Sequence, residues 1–220
     1  MATVKDLFKN FVHIGQRTDR WNPKMRQFLH GKEKGVHILN LEKTLERLEE
    51  VKKFLAATRL KNGKVLFVGT KPQSALVISK VLKGGNHFYV DEKWSPGLLT
   101  NFKELRKRID YYLNLKSQFD SGEIKKYTKK EISKFKKELE KLDASYHGVA
   151  EMRKKPDVMI VLDAVINRLA IAEANIVHVP VVALVDSNAN PDGIAFPIPA
   201  NDDSVKSVRF LVEELLESLK

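Results

Sequence analysis

Three side chains stand where an α/β enzyme would keep its chemistry. Asp163 follows the aliphatic run 158–162, Asp186 follows Val181–Val185, and Lys71 ends the turn Gly69-Thr70-Lys71 after Val65–Val68. Open α/β sheets place ligand sites beyond the carboxyl ends of their strands, so a Mg²⁺- or nucleotide-dependent site is one reading of this set. The spacing around these residues argues against it. Asp163 is followed by Ala164-Val165, with no second carboxylate two positions on to share a metal. Val68-Gly69-Thr70-Lys71 lacks the G-x-x-x-x-G-K-[ST] spacing of a phosphate loop, and neither G-x-G-x-x-G nor G-x-S-x-G occurs after any strand. The six histidines, His13, His30, His37, His87, His147 and His178, are scattered rather than placed at ligand spacing. With no cysteine, thiol nucleophiles, disulfides, Cys-ligated zinc and iron–sulfur clusters are excluded together. Asp at strand-to-helix junctions caps helices and turns, and the same reading covers Asp202 and Asp203 at the start of the last helix. Spacing alone disfavours a catalytic, metal or cofactor site and favours capping of helices and turns, while leaving the enzyme reading open.

A different constellation is sharper. Arg17, Arg20, Trp21, Asn22, Lys24 and Arg26 interleave cations and an aromatic ring with an amide and a proline, the residue types that RNA binders use for phosphates and unstacked bases. The alternative reading of Trp21 is an anchor that holds its segment onto the rest of the fold, which leaves the cations free to bind. Lys93-Trp94-Ser95-Pro96-Gly97 is a second such cluster.

Charge points the same way. The chain of 220 residues has 39 Lys and Arg against 28 Asp and Glu, a formal charge of +11. Residues 1–155 carry 35 of those cations against 18 acids, and residues 156–220 carry 4 against 10. One part of the surface is thus suited to a polyanion. Nucleic acid is favoured over membrane because the basic stretches lack the wide Leu/Trp/Phe face of an interfacial helix. The longest apolar runs fall far short of the roughly 20 residues that a membrane span needs, and the first nine residues lack a secretory apolar core.

Positioning these residues requires a scaffold, and the remaining pattern is strand and helix in alternation, which implies a parallel sheet. Strands are expected at 36–39, 65–68, 87–90, 157–162 and 181–185, the last two nearly all aliphatic, as strands covered on both faces must be. Asn40 is placed to cap a helix bearing Leu41, Leu45, Leu48, Val51 and Leu55, closed by Asn62-Gly63. Thr70-Lys71-Pro72-Gln73 reads as a capping-box start for a helix ended by Gly84-Gly85-Asn86. An amphipathic helix at 204–219 closes the chain.

Between the third and fourth expected strands lies a Lys- and Glu-rich segment of a different kind. Phe102, Leu105, Ile109, Tyr112, Lys116 and Phe119, then Ile132, Phe135, Leu139, Leu142 and Tyr146, alternate three- and four-residue steps, the seam of an antiparallel coiled-coil hairpin. Asp120-Ser121-Gly122 supplies the turn, and Thr128 with Glu131 a capping box. The domain plan is a basic, irregular N-terminal arm at 1–35, a sheet domain at 36–101 and 150–220, and the hairpin at 102–149.

Eight motifs together resemble one family. They are Trp21-Asn22-Pro23-Lys24-Met25, Val36-His37-Ile38 with Leu41-x-Lys43-Thr44, Leu66-Phe67-Val68-Gly69-Thr70-Lys71, Leu99-Thr100-Asn101-Phe102, Thr128-Lys129-Lys130-Glu131, Ala172-Glu173-Ala174, Val181–Val185 with Asp186, and Ile198-Pro199-x-Asn201-Asp202-Asp203. Their order and spacing are similar to those of the small-subunit ribosomal protein S-two family, in its bacterial or organellar branch. The resemblance implies a flavodoxin-like three-layer sheet domain with an inserted coiled-coil hairpin, seated on small-subunit rRNA of the 16S type at the head–body junction. It implies no catalysis, a cytoplasmic or organellar ribosome as the home, and neighbouring small-subunit proteins as partners. In bacteria these include the largest one, which helps to capture messenger RNA.

Two places depart from the family pattern. Gln16 stands where the second His of G-V-H-F-G-H is usual, and Lys93-Trp94-Ser95-Pro96-Gly97 stands for R-W-x-G-G. Lys for Arg keeps the charge but loses the bidentate fork, and Pro96 removes an N–H. The expected rRNA-contacting set is Arg17, Arg20, Trp21, Asn22, Lys24, Arg26, Lys71, Lys93, Trp94, Asn101, Lys103 and Arg106. An enzyme built on Asp163, Asp186 and Lys71, or a coiled-coil adaptor that tethers proteins, are the competing classes.

Overall fold

A computed structural model describes residues 2–82, 85 and 87–220. Lys83, Gly84 and Asn86, on which the expected end of the third helix falls, lie outside the described residues. The main sheet has five parallel strands: β4 (Val65–Val68), β5 (Phe88–Val90), β6 (Val158–Val161), β7 (Val181–Val185) and β8 (Phe196–Pro199). Their spatial order is β5-β4-β6-β7-β8. Counted along the chain this is 2-1-3-4-5, a doubly wound order that reverses between β4 and β6.

Both faces of that sheet are covered, which is why its strands are apolar at every position. Leu66, Val68, Met159, Val161, Val181, Ala183 and Val185 face one core, shared with Ala170, Ile171 and Ala174 of α6 (Arg168–Ile176). The alternate residues Val65, Phe67, Val158, Ile160, Val182 and Leu184 face the other. There they meet α2 (Leu41–Leu60), α3 (Pro72–Val81) and α7 (Val205–Glu217). The period of two along each strand divides the apolar residues cleanly between the layers.

Two expectations about strands need correction. The run 36–39 is not the first parallel strand: β3 (Val36–Leu39) is the centre of a separate antiparallel sheet, between β1 (Ile14–Arg17) and β2 (Leu29–Glu33). Lys34 and Gly35, with φ of 47° and 79°, form the two-residue turn between β2 and β3, the left-handed pair that matches strand twist in a tight hairpin. Four apolar residues in a row carry no mark of which sheet they join. The fifth parallel strand is instead β8, whose Pro197 and Pro199 hide it from a strand pattern; it sits at the sheet edge, where a missing N–H is tolerated.

The first 35 residues are not irregular either. They hold α1 (Val4–Lys9), closed at its start by a Thr3/Asp6 capping box, then β1, a 3-10 turn at Pro23–Phe28 and β2. Met25 and Phe28 are buried in the core against the main sheet, so this basic segment is packed down along its length. The helix at 72 starts without the expected box: Lys71 is its N-cap and makes no side-chain cap bond. Asn40 does cap α2, accepting from the amides of Glu42 and Lys43.

Helices α4 (Phe102–Asp120) and α5 (Lys129–Tyr146) join through Gly122, at φ 77°, and a 3-10 turn at Glu123–Lys126. Leu105, Ile109, Tyr112 and Leu115 are the buried positions of α4; Leu115, not Lys116, completes the apolar row. Tyr112 donates its hydroxyl to Asp143 at 2.5 Å, and Arg106 donates to the carbonyls of Ala150 (2.7 Å) and Met152 (3.0 Å). At the foot of the pair a Cβ on Gly148 would lie 2.2 Å from the Tyr89 carbonyl oxygen, so only glycine lets the chain pass there.

Candidate nucleic-acid interface

The N-terminal cations stand outward on a backbone that is tied down. Arg17, Arg20, Lys24 and Arg26 are exposed, as is Trp21 at 36% of its surface, its ring tilted against His37 at 5.3 Å between centroids. Asn22 accepts from the Lys24 amide and starts the 3-10 turn, with Pro23 fixing its first residue. Arg17 pairs with Asp19 (3.0 Å) and Lys24 with Asp192, both in solvent, where such pairs are weak and a phosphate competes readily. Arg20 and Arg26 make no ion pair among the described residues. Trp21 is thus packed on one side and open on the other.

The second cluster divides. Lys93 is exposed, but Trp94 retains only 7% of its surface and donates its indole N–H to Glu173 at 3.0 Å. Its ring is therefore not a stacking platform. The same buried carboxylate accepts from the amides of Gly97 (2.7 Å), Leu99 (3.1 Å) and Thr100 (3.2 Å) and from the Thr100 hydroxyl (3.1 Å). Burial opposes ionisation of Glu173, yet these donors outweigh it and hold the carboxyl below the usual range. The loop between β5 and α4, with Lys93, Asn101 and Lys103 exposed on it or just beyond, is shaped around this one side chain. Arg106, spent on two carbonyls and Asp110, is withdrawn from the surface set.

Lys71 is withdrawn too. Its ammonium lies 3.2 Å from Asp163, 2.8 Å from Asp202 and 2.6 Å from Asp203, at the crevice where the strand order reverses. Burial works against the charged lysine, but hydrogen bonds to Asp202 and Asp203 more than compensate and raise its pKa. Burial also pushes Asp202 up to about 8, helped by the charges of Asp163 and Asp186, and pushes Asp186 up to about 6. Asp202 and Asp203 do not cap the last helix: its N-cap is Ser204, without a side-chain cap bond, and Asn201 accepts from the amides of Asp203 and Ser204 in the turn that precedes it. Asp163 does act as a cap, accepting from Val165 and Ile166. Carboxylate oxygens of Asp186, Asp202 and Asp203 lie within 4.8 Å of one another, a spacing that could hold a cation, but the ammonium of Lys71 and the amide of Gln16 already supply their partners. The crevice that holds ligands in doubly wound enzymes is filled by the protein's own side chains.

With this geometry in view, the comparisons decide the lineage. The family model described as Ribosomal protein S2 matches residues 7–220. The chain belongs to the ribosomal protein S2 family. A protein named small ribosomal subunit protein uS2 from Shewanella piezotolerans is 42% identical over 219 residues, covering all of this chain and 90% of that one. Its namesake from Tolumonas auensis is 39% identical over the same shares, and that from Dehalococcoides mccartyi 36% identical over 99% and 89%.

Within this S2 chain the two departures from family pattern now have surroundings. Gln16 donates from Nε2 to Asp186 at 3.0 Å and to Asp203, so the amide serves the acidic cluster rather than solvent. Pro96 is exposed, and the nitrogens that bind Glu173 belong to its neighbours, so the lost N–H is not needed there. Sequence reasoning missed the roles of Gln16, Ser187 and Glu173. Gln16 gave a signal as a departure from the family pattern, and Glu173 as an acid on the apolar face of a short helix between Ala170, Ile171 and Ala174; Ser187 gave none.

Proposed function

We propose that this chain is a structural, non-enzymatic constituent of the small ribosomal subunit that clamps 16S-type rRNA at the head–body junction. The observation that carries the reading is the exposure of Arg17, Arg20, Trp21, Lys24 and Arg26 on a segment whose backbone is fastened to the sheet. Lys93, Asn101 and Lys103 extend the contact, with phosphates held by charge and Trp21 stacking at a junction. Family membership supports the assembly, since the relatives named above are small-subunit proteins. The crevice offers an enzyme no free lysine. In this reading α4 and α5 form a coiled-coil hairpin, 102–149, that reaches beyond a sheet domain of 36–101 and 150–220, while 1–35 is the basic RNA-facing part. Neighbouring small-subunit proteins, the messenger-capturing one included, are its protein partners, in a cytoplasmic ribosome. No helix among the described residues is long and apolar enough to cross a membrane.

Sedimentation of tagged protein through a sucrose gradient tests the assignment: it is expected in the small-subunit fraction, and a free pool alone refutes it. With about 6–10 phosphates engaged, affinity for an rRNA fragment falls by roughly 10³–10⁵ between 50 and 200 mM salt. Arg17→Glu with Arg20→Glu is expected to reduce that salt slope and subunit incorporation while leaving the melting temperature unchanged.

A further inference from the structure

Two half-buried side chains, Gln16 and Lys71, meet one acidic cluster beside the cations of the N-terminal segment. The amide N–H of Gln16 donates to the Ser187 hydroxyl at 2.8 Å, and its side chain reaches Asp186 and Asp203. Lys71 approaches the same cluster from the end of β4, joining Asp163, Asp202 and Asp203. Asp203 is thus shared between a side chain of the N-terminal segment and one of the main sheet. Further along, the Asn22 amide donates to the Ser187 carbonyl at 2.8 Å, and Asn201 donates to the carbonyls of Val12 (3.1 Å) and Phe11 (3.2 Å). Arg17, Arg20 and Trp21 lie between these anchors. The approach is close: a Cβ on Gly15 would sit 2.9 Å from the Ser187 hydroxyl and 3.2 Å from an Asp186 oxygen.

We infer that Gln16, with Lys71 behind it, is a pin that locks the N-terminal segment onto the carboxyl edge of the sheet, so that Arg17, Arg20 and Trp21 are held ready for RNA. Gln16 is a positioning residue and makes no RNA contact. This rests on the RNA-binding role of that segment proposed above. The physics is preorganisation. A released segment must be redocked before it binds, so apparent affinity falls by the fraction of molecules docked, while the bound state and its number of phosphate contacts stay the same. Lys71 neutralises part of the negative charge that four aspartates bring together; without it they repel one another and loosen the edge that Gln16 grips.

The test uses the full chain and two readouts. In limited trypsin digestion, Gln16→Ala is expected to speed cleavage after Arg17 and Arg20 about tenfold relative to wild type, with cleavage in α4 and α5 unchanged, because protease attack tracks the open fraction. In binding to an rRNA fragment, the same variant is expected to lose about tenfold in affinity with an unaltered salt slope, whereas Arg17→Glu lowers the slope. Gln16→His retains a ring N–H for the carboxylates and is expected to restore both readouts towards wild type. Unchanged cleavage in Gln16→Ala overturns the pin, and so does a reduced salt slope, which would make Gln16 a direct contact. Wild-type protein without salt-dependent binding would instead sink the RNA reading and leave the digestion result standing. Because Gln16 is only half-buried the variant is expected to fold; a lowered melting temperature with uniform cleavage throughout the chain would also overturn the proposal.

Discussion

Two carboxylate centres hold the carboxyl edge of this sheet, and they are opposite solutions to one problem. Glu173 is a single buried acid surrounded by five donated hydrogen bonds, and it stays ionised below the usual range. Asp163, Asp202 and Asp203 share one ammonium, with Asp186 beside them on the Gln16 amide, and burial with mutual repulsion lifts Asp186 and Asp202 well above the usual range. The first centre shapes the loop bearing Lys93, and the second anchors the segment bearing Arg17 and Arg20. An exposed basic surface is thus built on buried acids. Donors in excess give a rigid mount; acids in excess give one that depends on pH and on every neighbour.

The comparison breaks most severely at Glu173. Glu173→Ala strands the Trp94 indole, three amides and a hydroxyl, several of them buried, each worth roughly 1–3 kcal/mol if unsatisfied. Water reaches some of them, so about 4 kcal/mol is the expected loss, read as a fall in the urea midpoint. Emission from Trp94 is expected to shift to the red as the loop opens. An unshifted spectrum with near-wild-type stability would show that the loop holds its own shape.

The aspartate centre is expected to give way less, because its acids can take up protons. Lys71→Met leaves Asp163, Asp202 and Asp203 without their cation, and removing one partner of a buried pair costs about 3–5 kcal/mol when the other must stay charged. Here the expected loss is about 2–3 kcal/mol at pH 8, shrinking towards pH 5 as Asp202 and Asp186, whose carboxyls burial raises, take up protons. A deficit that stays the same from pH 8 to pH 5 would mean that Lys71 acts by packing alone.

How much of this was legible in the sequence follows from the range of the interactions. The buried strands β4, β6 and β7, the cap at Asn40 and the Thr128/Glu131 box are local patterns and could be read directly. β3 was legible as a strand but not as a member of the antiparallel sheet, since partner choice is a property of the whole topology. β8 was illegible because its two prolines imitate a loop. The site divides in the same way. Arg17, Arg20 and Arg26 are exposed, as charge near turn formers suggests. Lys71 and Trp94 were expected at the RNA surface, yet each is drawn inward by acids more than 70 residues away: Asp163 and Asp202 for Lys71, Glu173 for Trp94. Residue type near a basic motif reports the chemistry available; which partner takes it is decided by the fold.

The smallest effect separates the two centres by sign. Glu173 has a folded pKa below its ordinary value, so its stabilisation is present above that value and disappears as pH falls through the folded one. Asp186, at about 6, and Asp202, at about 8, have folded values above the ordinary carboxylate, so their contribution is lost as pH rises through that range. His147, raised to about 9 first by its hydrogen bond to Asp91 and then by the Asp143 carbonyl, adds to the same alkaline loss. Its stabilisation is complete below about 6.5 and gone above 9. Stability is therefore expected to decline by on the order of 1 kcal/mol between pH 5.5 and 8.5, within the roughly 1.4 kcal/mol per pH unit that one proton allows. Asp202→Asn keeps the shape and removes one of the two raised acids, so its urea midpoints should vary less over that interval, with the remaining slope carried by Asp186 and His147. Midpoints that climb with pH in wild type would reverse the assignment, placing the dominant linkage at Glu173-like acids instead of the crowded cluster.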